Sequence, residues 1–194
     1  MAAQAEARTG TSELDVSPAN REIGDEAVWS LSTAKPGNGV EQIRAAPGGK
    51  RRDENTETYW QSDGGQPHLI NIQFHKKMSI SEMAFYLDYG LDESYTPKKM
   101  SIRAGTTFHD LVEVEVVDLH EPTGWVTVAL SHGDGKALRA FFLQVCVVSM
   151  HQNGRDTHVR QAKIFGPRTP IDVCAGKHAA RFTSVALTQF AVLR

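Results

Sequence analysis

The chain has 194 residues, of which 40% are apolar and 23% charged, a composition typical of a globular protein with a single well-filled core. Its formal net charge is −2, from 21 basic and 23 acidic residues, which argues against recruitment of nucleic acid or anionic membrane by a whole-chain field. No apolar stretch of the sequence approaches the roughly 20 residues that a membrane-spanning helix needs.

The N-terminal segment and the cysteines bear on domain organisation and compartment. Residues 1–20 have low hydrophobicity, which predicts a disordered extension. They lack an apolar h-region and carry acidic side chains, which is not typical of a signal or transit peptide. The two cysteines, Cys146 and Cys174, form no CxxC pair or disulfide framework, which favours a reduced, intracellular compartment.

From about residue 23 onward, short apolar runs alternate with turn residues and predict β-strands. In LINIQF (69–74), Ile70, Ile72 and Phe74 alternate with the other residues, as in a strand with one buried face. The segment 139–148 is apolar on both faces and is therefore predicted to lie centrally in a sheet. The predicted strands, in chain order, are 69–74, 79–89, 99–105, 111–119, 124–130, 139–148 and 159–165.

The strand predicted at 111–119 indicates the type of sheet. Apolar and acidic side chains alternate here, with Val112, Val114 and Val116 on one face and Glu113 and Glu115 on the other. One face is therefore expected to be buried and the other exposed to solvent, as in antiparallel sheets. Gly-rich turns separate the strands, and no convincing amphipathic helix lies between them. This pattern predicts an all-β antiparallel sandwich rather than alternating strands and helices.

The stretch HQNGRDTHVR (151–160) concentrates polar chemistry between two apolar runs. A zinc site would use His151, Asp156 and His158, but their spacing matches none of the usual ligand pairs. A hydrolase would use His and Asp as base and orienting group, but no GxSxG-like nucleophile motif is present. The remaining interpretations are a structural polar loop, with Asn153 and Gly154 as positive-φ residues, and a binding loop.

Two further polar stretches favour binding. ETYWQSDGGQPH (57–68) carries Tyr59 and Trp60, and DESYTPKK (92–99) carries Ser94 and Tyr95. Aromatic rings beside amides, hydroxyls and carboxylates suit an extended peptide or a sugar. Trp60 itself is predicted to be a core side chain at the rim of the sandwich. Whether the three stretches share one end of the sandwich is not determined by the sequence.

Four segments, in this order, closely resemble the DOC-domain family of the anaphase-promoting complex, over residues 21–165. They are REIGDEAVWSLSTAKPGNGV, ETYWQSDGGQPHLINIQF, DESYTPKKMSIRAG and HQNGRDTHVRQAKIF. The departures are Met150 before the HQNGRDTH run and an apparent insertion, AAPGGKRR, at residues 45–52. The resemblance implies a jelly-roll β-sandwich of the galactose-binding-domain type over 21–166, followed by a C-terminal tail, 167–194, that docks to a TPR scaffold subunit.

The resemblance also implies a function. It indicates a non-catalytic subunit of a ubiquitin ligase that forms, with a β-propeller coactivator, a receptor for the destruction-box degron of cell-cycle regulators and promotes their processive ubiquitination. Such a subunit has no catalytic residues, cofactor or metal, binds neither nucleic acid nor membrane, and is expected in nucleus and cytoplasm. The degron-binding residues carried over from the family are Ser94, Tyr95, Asn153, Arg155, Asp156 and His158.

Family members end in an Ile-Arg tail, and this chain ends Val192-Leu193-Arg194, which retains the apolar side chain, the guanidinium and the terminal carboxylate. These three residues are therefore predicted to bind the scaffold. Two points stay open: a calcium ion near Asp88 and Asp92, and the alternative function of a glycan-binding module with the same sandwich fold.

Overall fold

The structure is a computed structural model that describes residues 8–11, 13–44, 56–131 and 138–168. Two short α-helical turns, α1 (Val40–Ile43) and α2 (Tyr89–Asp92), accompany twelve strands in the described ranges. In chain order the strands are β1 (Arg8–Thr11), β2 (Asn20–Glu22), β3 (Ala27–Leu31), β4 (Trp60–Gln61), β5 (His68–Ile80), β6 (Glu82–Asp88), β7 (Pro97–Gly105), β8 (Val112–Asp118), β9 (Thr123–Ala129), β10 (Leu138–Met150), β11 (His158–Val159) and β12 (Gln161–Pro167).

The strands form two five-stranded sheets with the orders β1-β9-β6-β12-β2 and β3-β5-β10-β7-β8, plus a small pair, β4 with β11. Every recorded pairing between the described strands is antiparallel. The inner faces of both sheets supply one apolar core, which includes Ile72, Phe85 and Val145. The predicted all-β antiparallel sandwich is confirmed, and so is the central position of β10, which explains why this strand is apolar on both faces.

The structure differs from the predicted elements in several respects. Arg8–Thr11, inside the segment predicted to be disordered, form the edge strand β1 beside β9. The strand predicted at 159–165 is divided between β11 and β12, which belong to different sheets.

A further difference concerns β8. Val112 is 67% exposed, whereas Val117 is 2% exposed, so the predicted alternation does not hold along the whole strand. The reason is a register shift against β7, where Ile102 pairs with Glu115 but the next residue pairs with Glu113. A bulge of this kind moves later side chains to the opposite face.

No helix in the described ranges is long and apolar enough to cross a membrane.

Candidate binding site at one end of the sandwich

Strand register brings the three polar stretches together. The start of β5 lies beside the end of β10, because His68 pairs with Val147. The start of β7 lies beside the same end of β10, because Pro97 pairs with Met150. The segments that precede β5, precede β7 and follow β10 therefore meet at one end of the sandwich. We call residues 56–67, 88–96 and 151–158 the loop cluster.

The closest approach within the loop cluster lies between Gly154 and Ser94. A Cβ atom built on Gly154 would lie 1.8 Å from the Ser94 carbonyl oxygen, so only glycine fits there. Its own φ is −56°, and the left-handed conformations belong to Gln152 and Asn153, with φ of 51° and 55°. Asn153 therefore adopts the predicted positive φ. Gly154 does not, because its role is to admit the neighbouring backbone.

Hydrogen bonds tie the segment before β5 to the segment after β10. Gln66 Nε2 donates to the Gly154 carbonyl at 2.9 Å, and His68 Nε2 lies 2.7 Å from the Arg155 carbonyl oxygen. The Thr157 backbone N–H donates to Ser62 Oγ at 2.9 Å. These contacts join residues some ninety positions apart in sequence, so the loops hold one another in place.

A buried ion pair lies beneath the surface of the loop cluster. Arg160 Nε and one terminal nitrogen donate to the two carboxylate oxygens of Asp92, each at 2.8 Å. Both residues are 5% exposed. Bidentate geometry of this kind combines strong hydrogen bonds with fixed orientation. Arg160 also donates to the backbone carbonyl of Thr56, which links the pair to the loop before β4.

The ionisation of this pair follows from its contacts. Burial tends to raise the pKa of Asp92, but hydrogen bonds from His158 and Arg160 outweigh it and hold the pKa below its usual value. Burial likewise tends to lower the pKa of Arg160, whereas its bonds to Asp92 keep it raised. Asp92 is therefore a carboxylate, which only accepts hydrogen bonds. His158 Nδ1, 2.9 Å from Asp92 Oδ1, must carry the proton that it donates.

His158 is also the centre of an aromatic stack. Its ring lies between Tyr59, with a centroid distance of 4.1 Å, and Tyr95, at 4.2 Å. The planes differ by 25° and 10°, so all three rings are close to parallel. The His158 Nε2 atom is buried and bonds to no residue that the structure describes. The stack and the single bond to Asp92 therefore hold the imidazole.

The predicted degron-binding residues occupy different depths. Asn153 and Arg155 are exposed, Ser94 is half-buried, and Tyr95 is 38% exposed. Asp156 is half-buried, with an oxygen 3.6 Å from Lys35 Nζ. These five residues share one end of the sandwich, as the resemblance implied.

His158 differs from those five residues. It is 7% exposed and stacked on both faces, so it supports the surface from below.

The alternative interpretations of HQNGRDTH can be compared with this geometry. The residues of the zinc hypothesis have separate partners: His151 packs edge-on against Tyr89, Asp156 faces Lys35, and His158 bonds to Asp92. Within the described ranges, no group of three or more His, Cys, Asp or Glu side chains is arranged to hold a metal.

The two residues of the calcium hypothesis, like those of the zinc hypothesis, have separate partners. Asp88 Oδ1 accepts from the Leu91 backbone N–H at 3.2 Å at the start of α2, and Asp92 is occupied by Arg160. The two carboxylates thus serve the local structure rather than one common ligand.

Sequence reasoning identified the surface residues but not the residues beneath them. The sequence indicates Asp92 only as a calcium ligand and Tyr59 only as an aromatic side chain of a binding stretch, and it assigns Arg160 no role. A buried ion pair leaves no periodic signal in the sequence, because its partners are 68 residues apart. Trp60, by contrast, is fully buried as predicted, and its indole N–H donates to the Thr33 carbonyl at 2.9 Å.

Comparison with known proteins supplies the family. Residues 2–191 match the family model for "Anaphase-promoting complex, subunit 10 (APC10)". This chain belongs to the APC10 family. Anaphase-promoting complex subunit 10 of Drosophila melanogaster is 51% identical over 179 residues, covering 90% of this chain and 85% of the relative. The Homo sapiens subunit 10 is 47% identical over 174 residues, covering 90% of this chain and 88% of the relative. The predicted resemblance is confirmed.

Solved structures with a similar fold include carbohydrate-binding modules. The paired family 32 modules of Clostridium perfringens ZmpB, in complex with GalNAc, match with a TM-score of 0.65 and 11% identity, covering 86% of this chain and 41% of that one. The family 32 module of C. perfringens NanJ, in complex with galactose, matches with a TM-score of 0.55 and 14% identity, covering 75% and 98%. At such identities the likeness is one of fold, and it confirms the predicted galactose-binding-type jelly roll.

Proposed function

We propose that this APC10-family chain uses the loop cluster to bind the destruction-box degron of substrates, together with a β-propeller coactivator, and so promotes processive ubiquitination. A member of this family is a non-catalytic subunit of the anaphase-promoting complex. The observation that carries the proposal is the close approach of two loops at Gly154, one of which carries Ser94 and the other Asn153. Both side chains reach the surface above a buried, hydrogen-bonded support.

The chemistry of this surface suits an extended peptide. The amide of Asn153 can donate to and accept from a peptide bond, and the hydroxyl of Ser94 can do either. Arg155 adds an exposed guanidinium, and the ring of Tyr95 adds a flat apolar area. None of these contacts requires a bond to be made or broken.

Asp156 has two candidate roles in the proposal: to receive a basic degron side chain, or to orient Arg155 by a charge-assisted bond. Its present neighbour is Lys35, at 3.6 Å, a separation too long for a good hydrogen bond. A guanidinium from a peptide would form a stronger, bidentate pair with the same carboxylate.

Two weak contacts act together in this proposal. A degron held loosely by the loop cluster and loosely by the coactivator gains residence time, because the second contact forms at high effective concentration. The isolated chain is therefore expected to bind a destruction-box peptide poorly. A tight complex without the coactivator would contradict this co-receptor arrangement.

The C-terminal residues Val192, Leu193 and Arg194 lie outside the described residues. We infer from the family pattern that they dock to a TPR scaffold subunit through an apolar side chain and the terminal carboxylate. Removing Leu193 and Arg194 should weaken incorporation into the complex, as measured by co-purification with the TPR subunit. Unchanged incorporation would refute this role for the tail.

The site is tested with the assembled ligase, carrying either the wild-type chain or the Ser94→Ala/Asn153→Ala double variant. The KM of a destruction-box substrate and the number of ubiquitins added per encounter are measured, and co-purification of the subunits controls for assembly. We expect normal assembly, a higher KM and shorter chains. Normal assembly with an unchanged KM and unchanged processivity would refute degron binding by these loops.

A further inference from the structure

Beneath the exposed residues lies a group of side chains, all buried except the half-buried Tyr59, that contact every segment of the loop cluster. Asp92 precedes Ser94 and Tyr95, Arg160 follows the HQNGRDTH stretch, and Tyr59 lies in the segment before β5. Arg160 and His158 both bond to Asp92, and His158 stacks on both tyrosine rings.

We propose that Asp92 and Arg160 are positioning residues that set the orientation of the degron-binding surface without touching the degron. The inference rests on the proposed function of the loop cluster. Both side chains are 5% exposed and therefore out of reach of a bound peptide. Their effect passes through His158 and the two stacked tyrosines.

The first link runs from the ion pair to the imidazole. The Asp92 carboxylate accepts two bonds from Arg160 and one from His158, all between 2.8 and 2.9 Å. Because the Arg160 guanidinium is planar and bidentate, it fixes the plane of the carboxylate. The carboxylate in turn fixes the direction from which His158 Nδ1 donates.

The second link runs from the imidazole to the surface. The Tyr95 ring lies parallel to His158 within 10°, and the Tyr95 carbonyl accepts from Thr157 Oγ1 at 3.3 Å. Rotation of His158 would therefore move the exposed Tyr95 ring. Ser94, the adjacent residue, abuts Gly154, so it would move as well.

The third link includes the segment before β4. Arg160 donates to the Thr56 carbonyl and lies 5.5 Å from the centre of the Tyr59 ring. Tyr59 covers the other face of His158. Loss of the ion pair would therefore loosen the surface from two sides, since both tyrosines depend on the same imidazole.

The test uses the assembled ligase and the KM for a destruction-box substrate. Asp92→Asn keeps the size of the side chain but removes the charge. We expect KM to rise roughly five- to thirtyfold, because such a factor corresponds to the loss of one or two hydrogen bonds to the peptide. The kcat and the co-purification of the subunits should stay unchanged. Ile80→Ala is the stability control, because Ile80 is fully buried at the opposite end of β5. It should lower the melting temperature and leave KM unchanged.

A second pair of variants separates positioning from general stability. His158→Ala removes the stack and should raise KM by a factor similar to that of Asp92→Asn. His158→Phe keeps a ring between Tyr59 and Tyr95 but cannot donate to Asp92, so KM should stay raised by a similar factor. A return of KM to the wild-type value in His158→Phe would refute positioning through the bond to Asp92. Adding Asp92→Asn to Ser94→Ala/Asn153→Ala should raise KM by a smaller factor than Asp92→Asn does alone, because the Ser94 and Asn153 contacts are already absent and only those of residues such as Tyr95 remain to be displaced.

The outcomes distinguish this inference from the proposed function. If Ser94→Ala/Asn153→Ala raises KM but Asp92→Asn does not, the positioning role is wrong and the degron site stands. If Ile80→Ala raises KM as much as Asp92→Asn does, the effect is general destabilisation and the positioning role is again wrong. If the surface double variant leaves KM unchanged, the proposed function fails, and the positioning role fails with it.

Discussion

Gly154→Ala is expected to destabilise the domain and to disturb the loop cluster at the same time. The new Cβ would lie 1.8 Å from the Ser94 carbonyl oxygen and 2.8 Å from its carbon, whereas ordinary contact begins at 3.4 Å. The two backbones must therefore separate by about 1.6 Å, the difference between 3.4 and 1.8 Å. Overpacking of this kind costs about 1–3 kcal/mol.

The cost arises from this contact alone. With φ of −56° and ψ of 151°, Gly154 has a backbone conformation that alanine adopts freely. At about 2–4 °C per kcal/mol for a domain of this size, the melting temperature should fall by roughly 2–12 °C. The same separation would displace Ser94, so the KM for a destruction-box substrate should rise.

Thermal unfolding followed by circular dichroism measures the loss of stability, and the ligase assay measures KM. Gly39→Ala is the matched control, because Gly39 lies outside the loop cluster and a Cβ there meets only the Ala34 Cβ, at 4.0 Å. It should change neither quantity appreciably. If Gly154→Ala melts at the wild-type temperature and keeps the wild-type KM, the two loops do not approach each other as described, and the reasoning is refuted.

Two further predictions concern buried ionisable groups. Because the pKa of Asp92 is lowered on folding, its stabilisation should be complete above about pH 5 and diminish as pH falls below about 4. In urea unfolding, the free energy of unfolding of Asp92→Asn should therefore lie far below that of the wild type at pH 7 and less far below it at pH 3.5. A difference that does not depend on pH would contradict this. Burial raises the pKa of the Cys146 thiol, which is 1% exposed. In a Cys174→Ser variant this thiol should react with a disulfide reagent only after unfolding, and rapid reaction of the native protein would disprove its burial.

Much of the fold was predictable because alternation of apolar residues is a local signal. Ile70, Ile72 and Phe74 are buried as the pattern predicts, and the run that is apolar on both faces became the central strand β10. Short strands such as β2 and β4 were missed, since two or three residues carry no measurable period. The alternation failed in β8, because the bulge opposite Ile102 depends on pairing with β7.

The candidate site was predictable only in part. Ser94 and Asn153 were identified because the sequence runs around them resemble a known family, and the family is confirmed. Their degron-binding role stays a proposal. The Asp92–Arg160 pair was not found, since burial of a charge depends on what surrounds it and not on its neighbours in sequence.

The sequence by itself determined the class of the fold, the family and the identity of the exposed polar residues, because these follow from local pattern and from long runs of matching residues. Only the tertiary structure decided that the polar stretches form one surface. That result depends on the registers of β10 with β5 and with β7, which pair residues about eighty and fifty positions apart. The tertiary structure also decided that His158 supports the surface from below, because two tyrosine rings from distant segments cover the faces of the imidazole.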